Sequence, residues 1–385
     1  MRIGIEQRRA RLGLRHLLAV QAGTVQQVAE ALVALHATDA ATVYLAVAAR
    51  QQAPEVSGVE RALYDDRVVV RMLGMRRTMF VVESHLVPVI QEACTRDVAA
   101  RLRRDLVKHL AEVGRDGAWL SEVEDSAAAA LAARGSATAA ELAADEPRLR
   151  TSLVYAPDKS YGSTAYITTR VLGLLAADGR IVRGRPKGSW LSGQYLWSTM
   201  DSWLPDGWEP WSAEAARAEL ARRWLAAFGP APVSDLRWWT GWTAAQTKKA
   251  LAEIGPVEVD LDGVSGIALA GDLAPVEQPE PWVALLPALD PTAMGWQARD
   301  WYLGGHGPAL FDRSGNVGPT VWCDGRIVGG WAQRPSGEVV FRLLEDIGTG
   351  ATTAVADTAA RIEEWLGPTR VIPRFRTPLE RELSS

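Results

Sequence analysis

Apolar positions near the start of the chain recur with a helical period that breaks at one polar point. Residues 28–35 and 40–51 form two mainly apolar runs, which the polar residues His36, Thr38 and Asp39 interrupt. A strand-like ribbon over 68–82 follows, and an apolar stripe over 86–113 predicts a long helix. We expect the ribbon to turn near Gly74, where a positive φ carries little steric penalty. Helices followed by a two-stranded ribbon are the element order of a winged helix.

The same order of elements recurs twice further along the chain. Helices predicted over 121–134, from 136 onward with a capped start, and over 163–177 precede a basic hairpin at 180–190. Helices over 214–228, 235–240 and 243–253 precede strands over 257–261 and 266–270. Short strands are then predicted over 282–287, 320–323, 326–331 and 338–341, with a turn at Asp324-Gly325, a helix over 352–365 and a last strand over 370–373.

These elements predict an α+β fold made of four units. Three tandem winged-helix domains are expected over 1–115, 116–205 and 212–275, and a β-rich C-terminal domain over 276–385. The repeat is one of architecture and not of clear sequence similarity.

Composition narrows the class of protein. The 385 residues are 48% hydrophobic and 23% charged, which is ordinary for a globular protein. No apolar run reaches the roughly 18 residues of a membrane span, and the N-terminus lacks a signal-peptide core. Cys94 and Cys323 are far apart and have no metal-ligand spacing around them. Phosphate-loop, dinucleotide, zinc-protease and serine-hydrolase motifs are missing. We therefore expect a cytoplasmic protein without a metal or other cofactor.

Charge is distributed unevenly along the chain. The formal net charge is −4, yet residues 66–110 hold nine basic against five acidic residues, a local excess of +4. Residues 148–190 hold eight basic against two acidic residues, an excess of +6. Local basic patches of this kind can bind phosphates although the whole chain is acidic, and they can also be solvated faces.

His36, Thr38 and Asp39 are the candidate catalytic residues. In a turn between two helices, His36 and Thr38 could converge on one point, although residues two apart in a straight helix do not. A neutral imidazole can take a proton from water, and a hydroxyl can orient that water. The alternative is structural: Thr38 or Asp39 caps the second helix, and His36 is a core histidine.

Seven further residues are candidate DNA contacts, on two ribbons and one loop. Arginines on a hairpin project toward a duplex backbone, and a solvated face is the alternative for the first ribbon. Three cations at alternate positions of the second hairpin would share one strand face. The loop at 303–313 could probe a groove or serve only as a connector. These residues are Arg71, Arg76 and Arg77 on the first ribbon, Arg183, Arg185 and Lys187 on the second, and His306 in the loop.

Five short segments together resemble the AlkZ/YcaQ-type winged-helix DNA glycosylases over nearly the whole chain. They are residues 34–45, 70–82, 235–241, 285–291 and 321–329. The resemblance implies tandem winged helices and a β-rich domain around a DNA channel. It also implies excision of alkylated purines, including bulky N7-guanine adducts, from double-stranded DNA by a monomer that needs no protein partner. The rival interpretation is a non-enzymatic winged-helix regulator.

One departure from this family falls at the candidate catalytic residues. Better-known members carry Gln-x-Gln or Gln-x-Asp where this chain has His36-Ala37-Thr38. The resemblance is to histidine-containing variants that confer self-resistance to DNA-alkylating natural products. It implies that His36 accepts a water proton, that Thr38 orients the water, and that Asp39 holds the imidazole or stabilises the sugar cation. An N7-alkylated guanine is already cationic and leaves without a strong general acid.

Overall fold

Helices and short antiparallel strands alternate along the chain in this computed structural model, which describes residues 1–155 and 162–385. The helices are α1 Ile5–Arg15, α2 Val25–Ala31, α3 Ala40–Ala48, α4 Val56–Glu60, α5 Val87–Ile90, α6 Arg96–Ala111, α7 Gly117–Arg134, α8 Ala139–Asp145, α9 Thr168–Ala177, α10 Met200–Trp203, α11 Ala213–Phe228, α12 Val233–Thr240, α13 Ala244–Ile254, α14 Asp300–Leu303, α15 Gly307–Leu310, α16 Thr349–Leu366 and α17 Pro378–Leu383. The strands are β1 Leu35–His36, β2 Val69–Leu73, β3 Met79–Glu83, β4 Ser152–Tyr155, β5 Ser163–Tyr166, β6 Ile181–Pro186, β7 Tyr195–Thr199, β8 Val257–Leu261, β9 Val264–Ala268, β10 Val283–Leu286, β11 Thr320–Cys323, β12 Arg326–Gln333 and β13 Val339–Leu343. No helix of this described part is long and apolar enough to cross a membrane.

His36 lies in a strand, so the expected turn between two helices is wrong. A capping box of Thr24 and Gln27 starts α2, which ends before Val33, a residue with φ of 62°. Strand β1 then pairs antiparallel with β3, His36 opposite Phe80, in a sheet of order β1-β3-β2. Backbone pairing with a strand about 45 residues away therefore overrides the local helical pattern.

The turn between β2 and β3 also differs from the prediction. Gly74 has φ of −141°, so it does not use the freedom of a glycine. Arg76 and Arg77 adopt left-handed conformations instead, with φ of 52° and 61°. A non-glycine residue in this region costs about 1–2 kcal/mol. The chain therefore holds these two arginines in a specific and unfavourable turn.

The second unit contains a hairpin that the sequence pattern did not reveal. The predicted helix over 163–177 is a strand, β5, followed by the helix α9, and β5 pairs with β4. Residues 163–166 are exposed on both faces, which removes the alternation that identifies a strand. The capped helix start is confirmed, because Thr138 and Glu141 form a capping box at α8. Asp158 and Lys159, counted in the charge of 148–190, lie outside the described residues.

The C-terminal half follows the predicted order closely. Strands β10, β11, β12 and β13 form one antiparallel sheet in that order, and α16 packs against it. Asp324 and Gly325 have φ of 48° and 81°, as a two-residue hairpin turn requires. The last strand over 370–373 is wrong, because this segment is irregular and leads to α17. Three helix-plus-hairpin groups are present, and their assignment as winged helices remains a prediction.

The hydrophobic cores do not follow the four predicted units. One large cluster joins residues of all four predicted units, among them residues of α2, β3, α10, α11 and α14. A second cluster surrounds Leu131, Leu142 and Leu175 of the second unit and also includes Leu106 and Leu110 of α6 in the first unit. A third cluster lies between the β10–β13 sheet, α16 and α3. The first unit therefore packs directly on the C-terminal domain.

A buried ion pair lies where the first unit meets the C-terminal domain. The Arg50 guanidinium donates to both carboxylate oxygens of Asp290, at 2.9 and 2.8 Å, and both side chains are 0% exposed. Arg50 also donates to the carbonyl oxygens of His16 and Ala46 and to Thr292 Oγ1. These contacts satisfy both charges inside the protein, so the position of each partner is fixed.

Removing one partner of this pair should strongly destabilise the fold. Arg50→Met leaves the buried Asp290 carboxylate without its partner, and we expect a loss of about 3–5 kcal/mol in the free energy of unfolding. Urea denaturation measures it. Arg2→Met, which breaks an exposed ion pair with Asp262, is the matched control and should leave the free energy of unfolding nearly unchanged. Equal losses in the two variants would contradict the structural role of Arg50.

Candidate active site

A large cleft opens between the first unit, the β6–β7 hairpin and the C-terminal segment. Its volume is about 870 Å³, and its lining includes Thr38 and Asp39 at the start of α3. Four cations line it as well, namely Arg71, Arg183, Lys187 and Arg374. Asp39 is the one carboxylate in the lining that the described residues provide. The cleft therefore combines a single acid with a cationic wall.

Asp39 caps helix α3 and is fixed from two sides. Its Oδ1 accepts a hydrogen bond from the Ala41 amide at 3.1 Å, as an N-cap residue does. Its Oδ2 accepts one from the Arg374 amide at 2.9 Å, and Arg374 Nη1 donates to the Thr38 carbonyl oxygen at 3.3 Å. The Asp39 carboxylate is thus held at the cleft wall by the C-terminal segment.

The His36 imidazole lies in the core beneath this wall. Its residue is 6% exposed, and its ring packs against Phe80 with centroids 4.7 Å apart. Neither ring nitrogen has a hydrogen-bond partner among the described residues, so Asp39 does not hold the imidazole. Burial, together with the nearby Arg76 charge, lowers the pKa of His36 to about 3. Thr38 lines the cleft, whereas the buried His36 is not part of its lining.

Arg71 and Arg183 stand side by side over aromatic rings in the cleft. The Arg71 guanidinium lies over Tyr195, 4.9 Å from the ring centroid, and donates to the Tyr195 hydroxyl. The Arg183 guanidinium lies over Trp197 at 4.6 Å. Burial and the neighbouring Arg71 charge lower the pKa of Arg183 to about 10. Neither arginine forms an ion pair with a carboxylate in the described parts of the chain, so an anion in the cleft would relieve their repulsion.

The three cations of the second hairpin do not share one face. The pairing of β6 with β7 shifts register between Arg183 and Pro186, so the alternation of sides is interrupted. Arg183 and Lys187 face the cleft, and Lys187 lies 3.8 Å from Glu141. Arg185 instead forms ion pairs with Glu60 at 3.2 Å and Asp65 at 2.9 Å. The charge of Arg185 is therefore already balanced by the protein.

The remaining predicted DNA contacts lie outside the cleft lining. Arg76 stacks on Trp238, with its guanidinium carbon 3.9 Å from the ring centroid, and Arg77 is exposed in the same turn. His306 lies between α14 and α15, with Nε2 3.2 Å from a Glu345 carboxylate oxygen. The structure thus brings together Thr38, Asp39, Arg71, Arg183 and Lys187 of the ten predicted site residues.

Sequence reasoning missed two residues of the cleft. Arg374 approaches Asp39 from 335 positions away, and only the fold reveals that contact. Tyr195 stacks with Arg71 of β2, although its own strand β7 pairs with β6, so this contact too is revealed only by the fold.

Neither cysteine suits metal binding or nucleophilic chemistry. Burial raises the pKa of Cys94 to about 12 and that of Cys323 to about 11, so both thiols stay protonated. No group of three or more His, Cys, Asp or Glu residues within 1–155 and 162–385 is arranged to hold a metal ion.

Comparison with known proteins identifies the family of this chain. The family model described as "DNA glycosylase AlkZ-like" matches residues 29–365. The chain belongs to the AlkZ-like DNA glycosylase family. A solved structure, the Streptomyces sahachiroi DNA glycosylase AlkZ, is similar with a TM-score of 0.74 at 21% identity, over 96% of this chain and 99% of that one. No curated protein matches the chain.

Family membership confirms the resemblance seen in the sequence. The protein is a DNA glycosylase, a hydrolase of N-glycosidic bonds that serves the repair of alkylated DNA. The likeness to the solved structure, at 21% identity, shows the fold and does not assign individual residues. An enzyme family also favours the glycosylase over the non-enzymatic regulator.

The buried state of His36 should make stability fall at mildly acidic pH. Below the unfolded pKa of 6.5 the unfolded chain binds a proton that native His36, with a pKa of about 3, does not. Stability is therefore complete above pH 6.5 and decreases as pH falls toward 3. Between pH 7 and 5 we expect His36→Leu to lose about 2 kcal/mol less stability than the wild type. Urea unfolding at both pH values measures it.

A histidine at the protein surface provides the control for this measurement. His109 lies on α6, where its Nδ1 donates a hydrogen bond to the Asp105 carbonyl oxygen at 2.7 Å. His109→Gln should retain the wild-type dependence on pH. If His36→Leu also retains it, the folded imidazole takes up protons as freely as the unfolded one, and the buried position is wrong.

The two hairpin arginines should differ in their effect on DNA binding. Arg183→Gln removes a cation that faces the cleft. The negative slope of log affinity against log salt should therefore become shallower by about 0.9 for duplex DNA. Arg185→Gln, two residues away, removes a charge already paired with Glu60 and Asp65, and the slope should not change. Fluorescence anisotropy over a salt series measures both, and a larger effect of Arg185→Gln would reverse the assignment.

Proposed function

We propose that this glycosylase excises alkylated purines from double-stranded DNA, above all N7-alkylguanine, with bulky natural-product adducts among its substrates. The observation that carries this proposal is the single carboxylate of Asp39 at the wall of a cationic cleft. The cations suit the DNA backbone, and the carboxylate suits the positive charge of the lesion. We propose that the enzyme acts as a monomer without a protein partner. Repair or self-resistance against DNA-alkylating compounds would both use this activity.

Asp39 is the proposed catalytic residue. The bond between C1′ and N9 breaks, and its electron pair leaves with the cationic base, which becomes neutral. The sugar gains oxocarbenium character, which the Asp39 carboxylate stabilises electrostatically. A water oxygen then bonds to C1′, and its proton passes to Asp39. The Thr38 hydroxyl is proposed to orient that water.

His36 is proposed as a positioning residue behind the wall. An imidazole that is 6% exposed and packed on Phe80 does not reach water in the cleft. Its ring instead fills the space beneath the backbone that carries Thr38 and Asp39. This assignment replaces the proton acceptance expected from the sequence, since general-base transfer needs hydrogen-bond reach.

The cations and the size of the cleft support a DNA substrate with a large adduct. Arg71, Arg183, Lys187 and Arg374 are proposed to bind backbone phosphates beside the lesion. The helix-plus-hairpin groups would then act as winged helices that hold the duplex. A volume of about 870 Å³ lies within the range of roughly 300–1,000 Å³ typical of small-molecule sites. A purine with a bulky substituent fits this range.

Replacing the Asp39 carboxylate should abolish most of the excision without loss of folding. Asp39→Asn keeps an N-cap residue of equal quality but removes the negative charge and the proton acceptor. We expect the single-turnover rate on a duplex with one N7-methylguanine to fall by about 10²–10⁴-fold. Strand cleavage after alkali treatment of the abasic product measures the rate, and duplex affinity should not decrease.

A second capping aspartate provides the matched control. Asp116 caps α7 through the Trp119 amide at 2.9 Å, and Asp116→Asn should keep the wild-type rate. A wild-type rate for Asp39→Asn as well would show that Asp39 is only a cap. Excision of N3-methyladenine but of neither N7-methylguanine nor its bulky analogues would instead contradict the proposed substrate class.

A further inference from the structure

Two arginines from distant parts of the chain stack on one tryptophan outside the cleft. The Arg76 guanidinium carbon lies 3.9 Å from the centroid of the Trp238 ring, and that of Arg299 lies 5.1 Å from it. Arg299 also lies over Phe311 at 4.7 Å. Arg76 belongs to the β2–β3 turn, Trp238 to α12 and Arg299 to the segment before α14. We call this group the Trp238 cluster.

Residues 235–241 build the Trp238 cluster. The buried Asp235 accepts hydrogen bonds from the Gln297 and Ala298 amides at 3.1 and 3.0 Å, which fixes the chain next to Arg299. At the other end of α12, Gly241 has φ of 74°, and a Cβ there would lie 3.2 Å from Arg76 Cγ. A side chain at Gly241 would thus be strained and would crowd Arg76. The segment that resembled the glycosylase family therefore assembles this cluster.

The positive charge of the cluster is not balanced by the protein. Neither Arg76 nor Arg299 forms an ion pair with a carboxylate of the described residues, and Arg76 Nε is buried without a hydrogen-bond partner there. Asp235 is the acid near Arg299, and Arg8 also lies near it, so one buried carboxylate is shared by two arginines. Burial and the Arg299 charge lower the pKa of Arg76 to about 10. Two guanidinium groups on one ring, neither in an ion pair with a carboxylate of the described residues, are complementary to an oxyanion.

Backbone strain at this place supports a role beyond packing. Arg76 and Arg77 are consecutive non-glycine residues with positive φ, although a glycine lies at position 74 of the same turn. Strain of this kind is retained where the surrounding structure over-determines a functional conformation. Here it directs the Arg76 side chain onto Trp238, and Arg77 stays exposed beside it.

We propose that Arg76, Arg299 and Trp238 form a binding site for one phosphate of the DNA backbone, outside the lesion cleft. The inference rests on the proposed function, since it concerns the same duplex. Met79 lines the cleft and lies three residues from Arg76, so the two sites are within about 10 Å along the main chain. A strand that leaves the cleft over the β2–β3 turn therefore meets the Trp238 cluster. The contact would fix the register of the duplex and carry no sequence preference.

Salt-dependent binding of an undamaged duplex tests the site independently of excision. Arg76→Gln and Arg299→Gln should each make the negative slope of log affinity against log salt shallower by about 0.9, the value for one phosphate. The double variant should show the same decrease as each single one, because both arginines bind one phosphate. Arg299→Lys keeps the charge and should restore most of the slope. Arg361→Gln, an exposed arginine of α16, is the control with the wild-type slope.

Three results would overturn the proposal. An unchanged slope in all variants, with a lower melting temperature, would mean that the arginines serve packing only. A decrease twice as large in the double variant would mean two separate phosphate contacts. An unchanged slope together with loss of stabilisation by inorganic phosphate, compared with chloride at equal ionic strength, would mean a site for a free anion. None of these depends on the substrate, so failure of Asp39 chemistry would leave the test intact.

Discussion

The arrangement of the cleft depends on the buried ion pair between Arg50 and Asp290. Arg50 follows the last turn of α3, whose first turn is capped by Asp39 at the cleft. Along the helix, Thr42 Oγ1 donates to the Ala288 carbonyl oxygen at 2.8 Å, and Asp39 itself accepts from the Arg374 amide. Helix α3 is thus fixed to the C-terminal domain through its first turn and just beyond its end. Two fully buried charges require each other, so this contact tolerates little displacement, and the Asp39 carboxylate inherits that rigidity.

Much of the fold could be predicted from local patterns, and the errors have a common origin. Capping boxes, alternating strands and the Asp324-Gly325 turn depend on neighbours in sequence, and these predictions agree with the structure. The predicted turn at His36 was wrong because strand β1 has only two residues, too few to show a period. This strand is defined by its pairing with β3. Strand β5 was predicted as part of a helix because neither of its faces is buried, so its sequence does not alternate. Predictions from the helical period were thus wrong where the strand pairs with a segment distant in sequence or is exposed to solvent on both faces.

The candidate site shows the same division between local and distant information. Thr38 and Asp39 are adjacent in sequence, so one polar interruption of an apolar run was enough to find them. Alternation along β6 could not predict which side Arg185 faces, because the pairing with β7 shifts register between Arg183 and Pro186. Arg374 reaches Asp39 only through the tertiary fold. A sequence thus indicates which residue types are available, and the packing decides which charges are already balanced.

That distinction between balanced and unbalanced charge explains how a chain of net charge −4 can hold DNA. Arg185 and the buried Arg50 are neutralised by carboxylates and contribute little to the field outside. The arginines stacked on Trp197 and Trp238 are not, and in each place burial and a second guanidinium lower an arginine pKa to about 10. The aromatic rings hold these cations in place at the expense of mutual repulsion, which an incoming phosphate relieves. The repulsion that lowers the stability of the free protein therefore increases its affinity for a phosphate. For this reason the enzyme needs no overall positive charge.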